Sequence, residues 1–130
     1  MGNMVKKTFV EEETLLNDAF CMAVSVYESG FAPTFIVGIW RGGSSVGIYV
    51  QECLQFLGVE SDHISIRTSY AGLPGYQKSV DDPSSIRVHG WQYLLENLNT
   101  DDRLLLVDDG FNSGYSIEAV ITELQQRLRL

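Results

Sequence analysis

Leu104-Leu105-Leu106-Val107-Asp108-Asp109-Gly110-Phe111-Asn112-Ser113-Gly114-Tyr115-Ser116 is the stretch that decides the fold. Leu104 to Val107 form a short apolar run suited to a strand buried on both faces. From Ser116 the spacing changes to that of a helix, with Ile117, Val120, Ile121, Leu124 and Leu128 on one side. The loop between them therefore sits at a helix N-terminus, where unpaired backbone N–H groups and the positive end of the dipole can hold a phosphate. Ser113 and Ser116 add hydroxyl donors, and Gly114 permits close approach. Asp108 and Asp109 offer only acceptors, which suit sugar hydroxyls or a hydrated divalent cation. A ribose 5-phosphate satisfies both halves. The plainer alternative is a strand that ends on two acids and a helix capped by serine.

Working outward, the same strand–loop–helix order recurs upstream. A first helix is expected from about Glu12 to Ser29, with Leu15, Leu16, Ala19, Phe20, Ala23, Val26 and Tyr27 on its apolar face and Gly30 as its stop. Phe35 to Trp40 read as a buried strand, then Arg41-Gly42-Gly43-Ser44-Ser45, then a helix from about Val46 to Phe56. His63 to Thr68 alternate as a strand, Ser69 to Ser85 lack periodicity, Ile86 to His89 make a short strand, and Trp91 to Leu98 a short helix. Strands alternating with helices predict an α/β domain spanning residues 1–130, a parallel sheet with helices on both faces. Ligands of such sheets bind at the carboxyl ends of the strands. Neither GxGxxG nor GxxxxGK[ST] occurs.

Composition narrows the classes. With 130 residues, 45% apolar content and three prolines, the chain is globular. A formal charge of −8 argues against a nucleic-acid surface and means that an anionic ligand needs local cations, Arg41 above all. Cys21 and Cys53 form no CxxC and are expected as buried small hydrophobes. His63 and His89, isolated from each other, are expected in structural roles rather than as metal ligands. No stretch approaches the roughly 18 uninterrupted apolar residues of a membrane helix, and the N-terminus lacks a signal-peptide core. A cytoplasmic address is the expectation.

The acidic pair followed by Asn112-Ser113-Gly114-Tyr115-Ser116 resembles the signature of the type I phosphoribosyltransferases. GIWRGGSS, Gly38 to Ser45, is similar to the pyrophosphate loop of the purine members. It lies about 65 residues before the acidic motif within an αβαβ pattern. Alone, Arg-Gly-Gly is equally a simple strand-to-helix turn. Thr68-Ser69-Tyr70-Ala71-Gly72-Leu73-Pro74-Gly75-Tyr76 looks like the family's mobile loop, although an ordinary surface loop reads the same way. The likeness runs through nearly the whole chain and is strongest to hypoxanthine-type members.

The resemblance implies a type I phosphoribosyltransferase core and transfer of the 5-phosphoribosyl group from 5-phosphoribosyl 1-diphosphate to a 6-oxopurine (hypoxanthine, guanine or xanthine). Pyrophosphate is released, and the role is purine salvage. By the same resemblance, Arg41, Gly42 and Gly43 hold the pyrophosphate, with a strained or cis peptide between Arg41 and Gly42, and Ser69 and Tyr70 close over the donor. Asp108 and Asp109 take the ribose hydroxyls and magnesium, the metal through water and the donor, while Asn112, Ser113, Gly114, Tyr115 and Ser116 anchor the 5-phosphate. The catalytic positions are Arg41, Tyr70 and Asn112, the last standing where the family's general base is a carboxylate. Asn112 cannot accept a proton in that way. Family members also continue with a further strand and a base-recognition (hood) segment, so the expectation is a C-terminally incomplete relative with that segment largely missing. The resemblance suggests a homodimer. Two other readings stand beside the enzyme: a non-catalytic protein that binds the donor or a nucleotide, and a receiver-like phosphoacceptor. The last lacks a phosphorylatable Asp after another strand, since Trp40 and Thr68 occupy those places.

Overall fold

The computed structural model describes residues 9, 11–70, 86–110 and 115–128; at 69, 70, 86, 87, 115, 116 and 128 it describes the main chain only. Eight elements follow in order: α1 (Glu12–Glu28), β1 (Phe35–Trp40), α2 (Gly42–Phe56), β2 (Asp62–Tyr70), β3 (Ile86–His89), α3 (Trp91–Asn97), β4 (Leu104–Val107) and α4 (Tyr115–Leu128). The sheet has the order β3-β2-β1-β4. β1 pairs parallel with β2 and β4, whereas β3 runs antiparallel to β2. The expectation of a parallel sheet thus holds for three strands and fails at one edge. A strand that returns beside its predecessor needs no helical crossover, and hydrophobic periodicity carries no direction.

β1 is the centre because its residues are buried on both faces. Phe35, Val37 and Ile39 join Ile66, Val88, Trp91, Leu94, Ala119, Val120 and Leu124 under α3 and α4. Ile36 points the other way, into a cluster with Ala19, Ala23, Val46, Val50, Leu54 and Val107 under α1 and α2. α1 buries less than its sequence promised: Ala19 and Ala23 are buried, while Phe20 and Tyr27 are exposed. Two small residues four apart bring α1 close to its neighbour and leave the bulkier apolar side chains at the rim. Gly30, at φ 84°, takes the left-handed turn that ends the helix region.

The first turn of α2 begins at Gly42, four residues before the expected start. Glycine disfavours helix interiors, so propensity places the boundary later. Packing overrides it: a β-carbon on Gly38 of β1 would meet the Gly43 carbonyl oxygen at 3.0 Å and the Ser44 α-carbon at 3.1 Å. At the opposite end of β1, Thr34 Oγ1 donates to Asp102 Oδ1 (2.8 Å), and the Arg103 amide donates to Thr34 Oγ1 (2.8 Å). This clasp fixes Phe35 opposite Leu104 and hence Gly38 opposite Val107. It determines which residues emerge together where β1 and β4 end.

Two cysteine and histidine expectations meet the structure differently. Cys21 is exposed and Cys53 half-buried, so neither is a fully buried hydrophobe. His63 has a packing role, with Nδ1 3.2 Å from Gln51 Oε1 and Nε2 wedged between β1 and α2.

Candidate functional site

The carboxyl ends of β1 and β4 meet. Arg41 follows β1 and occupies the N-cap position of α2, its carbonyl accepting the Ser44 amide at 3.0 Å. Gly42 and Gly43 begin the helix, where the first amides have no partner within the helix itself. Asp108 and Asp109 follow β4 directly. A β-carbon on Gly42 would collide with the whole Asp109 side chain, and one on Gly43 would lie 2.5 Å from the Val107 carbonyl oxygen and 3.0 Å from the Asp108 α-carbon. The glycine pair thus has a use beyond leaving amides accessible: it lets one loop rest on the other. Arg41, Gly42, Gly43, Asp108 and Asp109 come together at one end of the sheet.

The peptide between Trp40 and Arg41 is cis, one residue earlier than the resemblance led us to expect; the bond between Arg41 and Gly42 is not the cis one. Ser69 and Tyr70 also differ from expectation, since they continue β2 and pair with Arg87 and Ile86. The strand therefore extends into the start of the expected mobile loop, the remainder of which, 71–76, lies outside the described residues. So do Asn112, Ser113 and Gly114, while Tyr115 and Ser116 form the first residues of α4.

The acidic pair is electrostatically tense. Partial burial raises the Asp108 carboxyl above the ordinary Asp range; the Asp109 amide, donating to Asp108 Oδ1 at 2.8 Å, opposes this, and the adjoining Asp109 carboxyl adds to it. Among the described residues no group of three or more His, Cys, Asp or Glu is placed to hold a metal. A cation at the pair would take its remaining ligands from water or a bound substrate, as magnesium commonly does.

A cleft of about 440 Å³ opens beside the pair, lined by Asp108, Asp109 and Gly110 together with Asp18, Met22 and Ile117 among others. Sequence reasoning missed the contribution of α1. Leu15, Ala19 and Met22 fall at helical spacing along this wall, but nothing local to them signals a cleft.

No family model and no curated protein sequence matches the chain. Solved structures do. A purine phosphoribosyltransferase from Pyrococcus horikoshii OT3 is similar at 19% identity with a TM-score of 0.64, covering 92% of this chain and 69% of that one. A hypothetical protein from Neisseria gonorrhoeae with bound ppGpp is similar at 16% identity with a TM-score of 0.70, covering 96% of this chain and 66% of that one. The architecture is the phosphoribosyltransferase-type core: a mostly parallel four-stranded sheet between helices. Among the described residues no helix is long and apolar enough to cross a membrane.

Proposed function

We propose that this chain binds 5-phosphoribosyl 1-diphosphate at the joined ends of β1 and β4 and transfers its phosphoribosyl group to a 6-oxopurine. The observation that carries the reading is the seating of Gly42 and Gly43 on Asp109 and Val107, which brings the residue Arg41 and a pair of carboxylate residues to one sheet end. Those two chemistries match the two unlike parts of the donor. Arg41 offers a forked cation to the diphosphate. Asp108 and Asp109 accept from the ribose hydroxyls and would hold magnesium through water and the diphosphate. When bound, magnesium supplies charge neutralisation on the departing pyrophosphate.

In the reaction a ring nitrogen of the purine bonds to the anomeric carbon as the bond to pyrophosphate oxygen breaks. The carbon passes through an oxocarbenium-like state. The chain's contribution is to hold both ends of the donor in line and to exclude water; in this reading Ser69 and Tyr70 would close over the donor, and Asn112 to Ser116 would take its 5-phosphate. Asn112 lacks a carboxylate, so the purine proton leaves to solvent or another acceptor. The test is pyrophosphate release from the donor with hypoxanthine, guanine or xanthine in the presence of magnesium. Turnover with one of these bases is the expected result.

A second reading, a non-catalytic protein that binds the donor or a nucleotide, is favoured by Asn112 and by the ppGpp bound to the gonococcal protein of similar fold. Donor binding without pyrophosphate release would select it. A homodimer and a cytoplasmic address belong to the same proposal, the former tested by sedimentation.

A further inference from the structure

Beyond the joined loops, the strand registers place another set of side chains side by side. Trp40 of β1 is opposite Arg67 of β2, which is opposite His89 of β3. Residues paired across a sheet point to the same face. Since Ile39 and Ile66, one position earlier, both enter the core under α3 and α4, the row of Trp40, Arg67 and His89 projects on the opposite face. There α2 covers only the earlier part of the strands, ending its cover where Ser44 Oγ and Ser65 Oγ meet at 2.7 Å. These three residues with Ser65, Ile66 and Gly90 line a shallow, open recess of about 340 Å³.

We infer that this recess binds a small planar aromatic anion of the nucleobase-phosphate class, stacked on Trp40 with its anionic group on Arg67. Trp40 is 53% exposed in a strand whose preceding five residues are all buried. An indole presents one of the largest apolar faces available and is ordinarily well covered. Its neighbour in the row is a guanidinium, in a chain with nine Lys and Arg against seventeen Asp and Glu. An anion approaching so acidic a surface is held only where such cations stand. The size suits a small ligand: about 340 Å³ is at the lower end of the range for small-molecule sites, roughly 300–1,000 Å³. Gly90, at φ 102°, forms part of the lining; its α-carbon side faces Ser65 O and Ile66, which leaves no side chain of its own to fill the space. The recess adjoins the donor loop through the Trp40–Arg41 bond but shares none of its carboxylates, so it is a site additional to the one proposed for the donor.

Guanosine 5′-monophosphate is the probe, titrated against the whole chain while indole emission is followed, with and without saturating 5-phosphoribosyl 1-diphosphate and magnesium. We expect saturable quenching that persists in the presence of the donor. Arg67→Glu should weaken it about tenfold or more, the scale of one charge-assisted contact, and Trp40→Phe should remove the emission response while calorimetry still detects binding. Both substitutions lie on an exposed face, and circular dichroism checks that the fold survives. Absence of quenching, quenching abolished by the donor, or a response indifferent to Arg67→Glu would each overturn the inference. So would Trp40 already shielded from acrylamide in a sedimenting dimer without nucleotide, because a second copy would then occupy the recess. Failure of phosphoribosyl transfer alone leaves these readouts intact.

Discussion

The Asp109 carboxylate rests against the α-carbon of Gly42, so the acid after β4 is positioned by the missing side chain of the residue after Arg41. Beside it, Gly43 lies against backbone, the Val107 carbonyl. The two glycines should therefore fail in different ways. Gly42→Ala should turn the Asp109 carboxylate aside and displace its β-carbon, which would lie 2.6 Å from the new methyl, weakening donor binding with a smaller loss of stability than Gly43→Ala. Gly43→Ala should push β4 from α2 and cost about 1–3 kcal/mol, the usual scale for overpacking. Urea denaturation and donor calorimetry on both variants separate the effects; equal loss of stability in the two would refute this division.

Replacing Asp108 and Asp109 together by Asn preserves size and removes the charge that, in the proposed function, would attract hydrated magnesium. Donor affinity in the presence of magnesium should fall by about 1.5–3 kcal/mol or more, the range for hydrogen bonds to charged groups. Because burial and Asp109 raise the Asp108 carboxyl, the same variant should be no less stable to urea at neutral pH than the parent. An unaltered calorimetric affinity in the folded variant would remove the ribose assignment.

Arg41→Lys keeps the charge and loses the fork. Binding of the diphosphate donor should weaken more than binding of a nucleoside monophosphate, which has no diphosphate. Paired titrations give the comparison, and equal losses would count against the pyrophosphate role.

His63 should give the fold a pH response. Nε2 is buried without a hydrogen-bond partner, in a crevice where β-carbons on Gly47 and Gly38 would lie 2.8 and 3.1 Å from it. Burial holds the imidazole below its ordinary pKa, with Asp62 opposing the shift through its charge. The unfolded chain takes up the proton at about pH 6.5 while the folded chain still refuses it, so this group's stabilising effect is full above that pH and declines as acid is added, down to the lowered folded value. Urea midpoints between pH 5 and 7 should slope upward with pH. His63→Asn should flatten the slope; an unchanged slope would assign it elsewhere.

Asn112 separates enzyme from binder. Asn112→Asp supplies the missing proton acceptor, and turnover should rise, with roughly 10²–10⁴-fold as the ceiling for general-base help. Donor affinity should fall if residues 112–116 hold the 5-phosphate as proposed, because the new carboxylate would repel it. Pyrophosphate release that remains at background in a variant that still binds the donor would favour the non-catalytic reading.

What the sequence made legible follows from where the physics is local. The apolar runs Phe35–Ile39 and Leu104–Val107, each followed by a polar loop and a helical repeat, identified the strands that end at the site; burial on both faces explains the signature of Phe35–Ile39, whereas Leu104, Leu105 and Leu106, expected to be buried on both faces, are only half-buried because their strand is an edge of the described sheet. The direction of β3 was not legible, since alternation is the same either way along a strand. Nor was the start of α2: Gly42 and Gly43 look like a turn until β4 is laid against them. Trp40 read as one more apolar strand residue, and only the shortness of α2's cover exposes it.

The contact between Gly43 and Val107 also shows how little chemistry the joint between the two loops requires. A loop pair joined through main chain and through atoms that are absent places its demand on two glycines, leaving the surrounding side chains free to drift. A joint built this way asks little of the side chains around it.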